Sequence, residues 1–102
     1  MYLAMNRFQV RAGKEDEFES VWRSRDSYLD GVPGFNSFHL LKGATNDEFT
    51  LYSTHTVWED HGSFVAWTES EAFRKAHAGA KGTRDLYLGP PKFEGFDSVL
   101  TL

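Results

Sequence analysis

His77 stands in the stretch AWTESEAFRKAHAGAKG, Ala66 to Gly82, with short side chains around it. On a helix Phe73, Ala76, His77 and Ala80 fall at i, i+3, i+4 and i+7. The imidazole therefore shares a stripe with apolar neighbours, while Arg74 and Lys75 point elsewhere. Two readings are open for such a residue. One is a half-buried imidazole hydrogen-bonded to a carbonyl. The other is an axial ligand for haem iron, because a flat macrocycle can lie against a helix only where side chains near the ligating ring are short. Ala76, Ala78, Gly79 and Ala80 meet that requirement.

Asn6 is the second residue with chemistry to offer. In YLAMNRFQV, Tyr2 to Val10, alternation puts Ala4, Asn6, Phe8 and Val10 on one strand face and Leu3, Met5, Arg7 and Gln9 on the other. An amide on an otherwise apolar face must find a partner. That partner is either backbone at a strand edge or a ligand, such as bound dioxygen, to which its NH2 group donates. Trp67, a helical turn after Phe64, is either plain core or a bulky wall that a planar ligand must bend around.

Other chemistries find no residues to carry them. His39, His55, His61 and His77 lack metal-ligand spacing, and there is no HExxH, GxGxxG, P-loop or nucleophile elbow. Glu15, Asp16, Glu17 and Glu19 read as a solvated helix start. With no cysteine, disulfides and thiol catalysis are excluded. A net charge of −4 without a basic cluster argues against nucleic acid and anionic membranes. No apolar run reaches the length of a membrane span, and MYLAMNRF has no export-signal pattern, so the expected location is cytoplasmic.

The elements that must position these residues follow from periodicity and stop signals. The 102 residues suffice for one domain, 1–102. Tyr2–Val10 reads as a strand. KEDEFESVWRSRDSYLDGVPG reads as a helix whose stripe is Phe18, Val21, Trp22, Arg25 and Leu29, ended by Gly31 and Pro33. Phe35–Gly43 and Glu48–Trp58 are strands around a TND turn. Two short helices follow between Asp60 and Lys81, capped by Asp60 and Ser70. KGTRDLYLGPPK is irregular, and FEGFDSVLTL is the last strand. This order, β-α-β then β-α-α-β, predicts an α+β fold, a ferredoxin-like antiparallel sheet with helices on one face. Leu3 and Met5 on the other face need cover, which a homodimer closing sheet against sheet supplies. Aromatic residues make up 16% of the chain, more ring area than so small a core needs, so a flat ligand or an interface is expected to use the rest.

Taken together these residues resemble a family. The run W-x5-F-x2-W-x2-S-x2-F-x3-H occurs as Trp58, Phe64, Trp67, Ser70, Phe73 and His77. Asn6 lies in the first strand, and PGF, Pro33 to Phe35, opens the second. This pattern, over nearly the whole chain, is similar to the IsdG-type haem-degrading monooxygenases of the antibiotic-biosynthesis-monooxygenase superfamily, dimeric α+β barrels. AHAG, Ala76 to Gly79, is close to the mycobacterial-type members. The resemblance implies that haem is both substrate and cofactor, with O2 and an external electron donor such as a reductase. It implies His77 as proximal ligand to iron, Asn6 as donor to iron-bound oxygen, and Trp67 as the residue that ruffles the porphyrin. Arg25 matches a position near a haem propionate, and Trp22 a bulky aromatic position of the same helix. Opening of the ring and release of iron are the implied outcome. A cofactor-independent monooxygenase of a polycyclic phenol and a non-catalytic haem carrier are the alternatives.

Overall fold

Alternation decides the central strand. In the computed structural model of the chain, which describes residues 1–78 and 84–102, β1 (Tyr2–Arg11) buries Tyr2, Ala4, Phe8 and Val10 on one face and leaves Asn6 half-buried among them. It is followed by α1 (Glu15–Ser24), β2 (Phe35–Thr45), β3 (Phe49–Trp58), α2 (His61–Thr68), α3 (Glu71–Ala78), a 3-10 turn at Arg84–Leu86 and β4 (Lys92–Asp97). The strands pair antiparallel in the order β2-β3-β1-β4. This is the expected α+β ferredoxin-like sheet with its helices against one face.

Register explains where the core forms. Residues directly opposite one another in an antiparallel ladder share a face. Across β1 and β3 the inward pairs are Tyr2–Trp58, Ala4–Thr56, Asn6–Thr54, Phe8–Tyr52 and Val10–Thr50. The large rings stand in two rows separated by small and polar side chains. The Tyr2–Trp58 row packs with Leu29, Trp67 and Ala76, whereas the Phe8–Tyr52 row packs with Val10, Phe18 and Leu86. Two core clusters result, and a band of Asn6, Thr54 and Thr56, with Ala4 of the first cluster at its edge, runs between the two rows of rings. Each fully buried ring contributes about 2–3 kcal/mol.

Local chemistry sets the helix ends. Asp60 accepts from the Ser63 N–H at 2.7 Å and starts α2; Ser70 Oγ accepts from the Phe73 N–H at 3.1 Å and starts α3. Each such cap is worth about 1 kcal/mol. Gly34 has φ of +81°, and a Cβ there would run into the Ser63 side chain, so glycine lets the start of α2 pack against the entry to β2.

Three expectations are corrected. The first helix does not continue to Leu29. It stops at Ser24, whose hydroxyl turns back to the Ser20 carbonyl at 2.9 Å, and Arg25 is extended. The Asp26 carboxylate then accepts from the Tyr28 N–H at 2.9 Å, and Tyr28 has φ of +57°. These side chains offer the backbone non-helical partners, and Leu29 reaches the core from a loop. The last strand ends at Asp97, not Leu102: its ladder with β1 closes at the Tyr2–Asp97 pair, Ser98 N–H donates to the Met1 carbonyl, and Val99, Leu100 and Leu102 are exposed with no apolar contact among the described residues to hold them on the sheet. The stretch read as irregular contains the Arg84–Leu86 turn and a bridge from Tyr87 to Val10.

Polar contacts tie α1 to the sheet. Tyr52 Oη donates to Glu19 at 2.5 Å, and Thr50 Oγ1 donates to Glu15 at 2.9 Å. The Tyr52 hydrogen bond, aided by Arg23 and Lys42 and opposed by burial, holds the Glu19 carboxyl below the usual range. Glu15 is lowered too, first by its own backbone N–H and then by Thr50. A carboxyl whose folded pKa lies below its unfolded one stabilises the fold above the unfolded value and loses that contribution as pH falls through the folded one. The melting temperature is therefore expected to drop on acidification through the carboxylate range, about 4 and below. Glu19→Gln should flatten that drop in a pH series of thermal melts; an unchanged profile would remove Glu19 as a cause.

Candidate active site

The gap between the two core clusters is a cavity of about 350 Å³. Its floor is the band Ala4, Asn6, Thr54 and Thr56, with Phe38 and Phe93 to either side of that band from the flanking strands. Trp22 and Arg25 enter from the end of α1, Phe64 and Trp67 from α2, and Phe73, Ala76 and His77 from α3. The volume lies within the range of about 300–1,000 Å³ usual for small-molecule sites, and the lining is mostly apolar with a few polar groups.

A ladder of rings connects the core to His77. Trp58, fully buried, stacks with Trp67 at 6.2 Å between centroids; Trp67 meets Phe73 edge to face at 5.5 Å; Phe73 lies 4.0 Å from the His77 ring. Ser70 joins the two helices, its hydroxyl donating to the Trp67 carbonyl at 2.6 Å while it caps α3. His77 itself is exposed at the cavity wall, with Nδ1 2.9 Å from the Phe73 carbonyl. A carbonyl only accepts, so Nδ1 carries the proton and Nε2 of the neutral ring keeps its lone pair. The carbonyl hydrogen bond of the plainer reading thus still leaves the ring a second nitrogen. Ala76 beside it is buried; Gly79, Ala80 and the side chain of Ala78, read as clearance, lie outside the described residues.

Asn6 is not at a sheet edge, since β1 is flanked by β3 and β4. Its backbone N–H meets Thr54 Oγ1 at 3.2 Å, whereas its side-chain amide has no hydrogen bond among the described residues. The backbone pairing offered as one alternative is therefore not made by the side chain, and the amide is available to whatever occupies the cavity.

Arg25 lies over the Trp22 ring at 4.5 Å from its centroid, and Trp22 stacks on Phe38 at 5.8 Å. The Arg25 Nε is buried without a hydrogen-bond partner among the described residues. Burial pulls its pKa below the ordinary value, with Tyr87 acting in the opposite sense; the guanidinium remains a cation. A buried donor left unpaired beside a cavity suits an anionic group on a ligand.

Sequence reasoning missed Phe38, Thr54, Thr56, Phe64 and Phe93 as lining residues. The signal for the threonines was present in FTLYSTHTVW, where Thr50, Thr54 and Thr56 alternate with the rings of Tyr52 and Trp58 on one face. Assigning them to a floor needed the register with Asn6.

The class that fold and site define is a ferredoxin-like α+β domain with an apolar chamber between sheet and helices. Residues 1–79 match the family model for antibiotic biosynthesis monooxygenase, and the chain belongs to that family. A heme-degrading monooxygenase of Shouchella clausii is 41% identical over 89 residues, which is 87% of this chain and 82% of that protein. The heme-degrader MhuD of Mycobacterium tuberculosis, solved with two hemes in its active site, has a TM-score of 0.77 at 29% identity, over 100% of this chain and 99% of that one. SnoaB, a cofactor-independent oxygenase from Streptomyces nogalater, has a TM-score of 0.69 at 29% identity, over 99% and 95% of the two chains. Among the described residues no helix is long and apolar enough to cross a membrane.

Proposed function

We propose that this protein is a haem-degrading monooxygenase that takes haem as both substrate and cofactor, opens its ring and releases the iron. The observation that carries the reading is His77 at the cavity wall, whose Nδ1–H donates to the Phe73 carbonyl, so that in the neutral ring Nε2 is the nitrogen that can ligate. A metal-ligating histidine commonly donates its other ring N–H in this way, which fixes tautomer and orientation. The 41% identical heme-degrading relative and the likeness to MhuD support it.

The residues present fit the group. His77 holds iron through Nε2. Ala4 and Ala76 keep the floor and wall low, and Phe38, Phe64 and Phe93 offer apolar ring surface. Arg25, with its unpaired buried Nε, takes a propionate, and Trp22 beneath the guanidinium keeps it in place. Haem supplies the iron at which O2 is activated with electrons from an external donor, for which a reductase is the expected partner. Asn6, fixed in a central strand, aims an amide donor from the sheet side of the cavity; such a preset donor needs no reorganisation during reaction. Trp67, wedged between Trp58 and Phe73, is a rigid wall against which a bound macrocycle would have to bend.

The active unit is a homodimer. On the face away from the helices, Leu3 and Val57 are half-buried and Leu41 and Phe96 exposed, and a second copy closing sheet on sheet gives this apolar surface cover. The likeness to SnoaB favours a second reading, a cofactor-independent monooxygenase of a polycyclic phenol in which Asn6 and Trp67 grip the substrate and His77 is incidental.

Hemin titration separates the two. The haem reading expects a Soret band of histidine-ligated haem that saturates at one haem per chain. A titration showing only free hemin, together with haem-free turnover of an anthrone-like substrate, would overturn it in favour of the second.

A further inference from the structure

We propose that Thr54 is a second hydrogen-bond donor on the cavity floor. It acts with Asn6 on the sheet side of a bound ligand and makes that side selective for acceptors that carry negative charge. The proposal rests on the haem reading above and adds a residue to it.

Register brings the two side chains together. Asn6 stands directly opposite Thr54 across β1 and β3, and both line the cavity. Opposed residues in an antiparallel ladder have Cβ atoms about 4.5–5.5 Å apart, close enough for both side chains to reach one ligand atom. Their row continues to Phe93 in β4 and to Leu40 in β2, so apolar residues bracket the polar pair on both sides.

The Thr54 hydroxyl is held in place but not used up. Its Oγ1 accepts from the Asn6 backbone N–H at 3.2 Å, and its own proton has no acceptor among the described residues. A hydroxyl has one O–H and two lone pairs. One lone pair is taken by β1, which pins the oxygen, and the O–H stays available. Branching at Cβ further restricts the rotamer. Thr54 is buried, where a donor without an acceptor costs free energy that a ligand acceptor recovers.

Neighbouring hydroxyls are committed elsewhere. Thr56 Oγ1 donates to the Ala4 carbonyl at 3.2 Å and accepts from Trp58 Nε1 at 3.0 Å, so it braces the floor. Tyr52 donates to Glu19, and Thr68 Oγ1 to the Val65 carbonyl at 2.7 Å. Hydrogen bonds to an ionised acceptor are roughly twice as strong as those between neutral groups. A preset O–H beside the Asn6 amide therefore favours an anion over a neutral ligand of the same size.

The test is equilibrium binding to the hemin-loaded protein, read from the Soret band. The probes are fluoride, an anionic acceptor, on the ferric form and carbon monoxide, a weak acceptor, on the ferrous form. Thr54→Val keeps the branched shape and should weaken fluoride about tenfold while carbon monoxide stays within about twofold. Thr54→Ser keeps the hydroxyl and should return fluoride to near-native affinity. Unchanged fluoride affinity in Thr54→Val, equal weakening of both probes, or no recovery in Thr54→Ser would overturn the role. Hemin titration of each protein comes first and separates the two claims. Native-like hemin uptake with unchanged fluoride affinity removes Thr54 alone, whereas an unsubstituted protein that takes up no hemin removes the haem reading and this proposal with it.

Discussion

His77→Ala is expected to weaken hemin binding by more than the ten- to hundredfold that loss of a ligand's outer partner costs, and to abolish turnover. The substitution is mild for the fold. Alanine is the best helix former, the lost Nδ1 hydrogen bond is exposed, and the ring ladder through Trp58, Trp67 and Phe73 stays intact without the imidazole. Loss of affinity with an unchanged melting temperature therefore reads ligation and not unfolding. Free imidazole added to the variant should restore the histidine-type Soret band, because the space left by the ring opens onto the cavity. If His77→Ala binds hemin with wild-type affinity and spectrum, the ligand lies elsewhere and the reading of α3 fails.

Asn6→Ala is expected to act on the reaction and not on binding. The side-chain amide has no partner among the described residues, and the backbone contact to Thr54 survives substitution, so the variant should fold and take up hemin within a fewfold of the native protein. Removal of one donor aimed at developing charge typically lowers the rate by about 10²–10³-fold, about 3–4 kcal/mol. The check is a kcat and KM pair measured with one reductant: kcat falls and KM holds. Equal loss in both, or no loss in either, would mean that Asn6 only shapes the floor.

The parts legible in the sequence are those decided by short-range pattern. Alternation in Tyr2–Val10 exposed the core face and singled out Asn6, and Asp60 and Ser70 announced the two helices that carry Trp67 and His77. What sequence could not disclose needed either local competition or register. The end of α1 turns on Ser24 and Asp26 satisfying backbone groups themselves, which an apolar stripe running on to Leu29 conceals. Thr54, Thr56 and Phe93 become cavity residues only once β1 pairs with β3 and β4, and the unpartnered Nε of Arg25 exists only in the packed chain. The spacing from Trp67 to His77 was visible throughout, but its meaning depended on the edge-to-face contact with Phe73 that sets both residues on one wall.

The central claim is that this cavity opens haem and does not merely hold it. It is tested most directly by exposing the hemin-loaded protein to an external reductant in air, with catalase present to remove free peroxide, while the Soret band is followed. The proposed function predicts that the band decays to the absorption of an open tetrapyrrole while a ferrous chelator captures the released iron. A Soret band that persists under these conditions would contradict it and leave a protein that binds haem without degrading it.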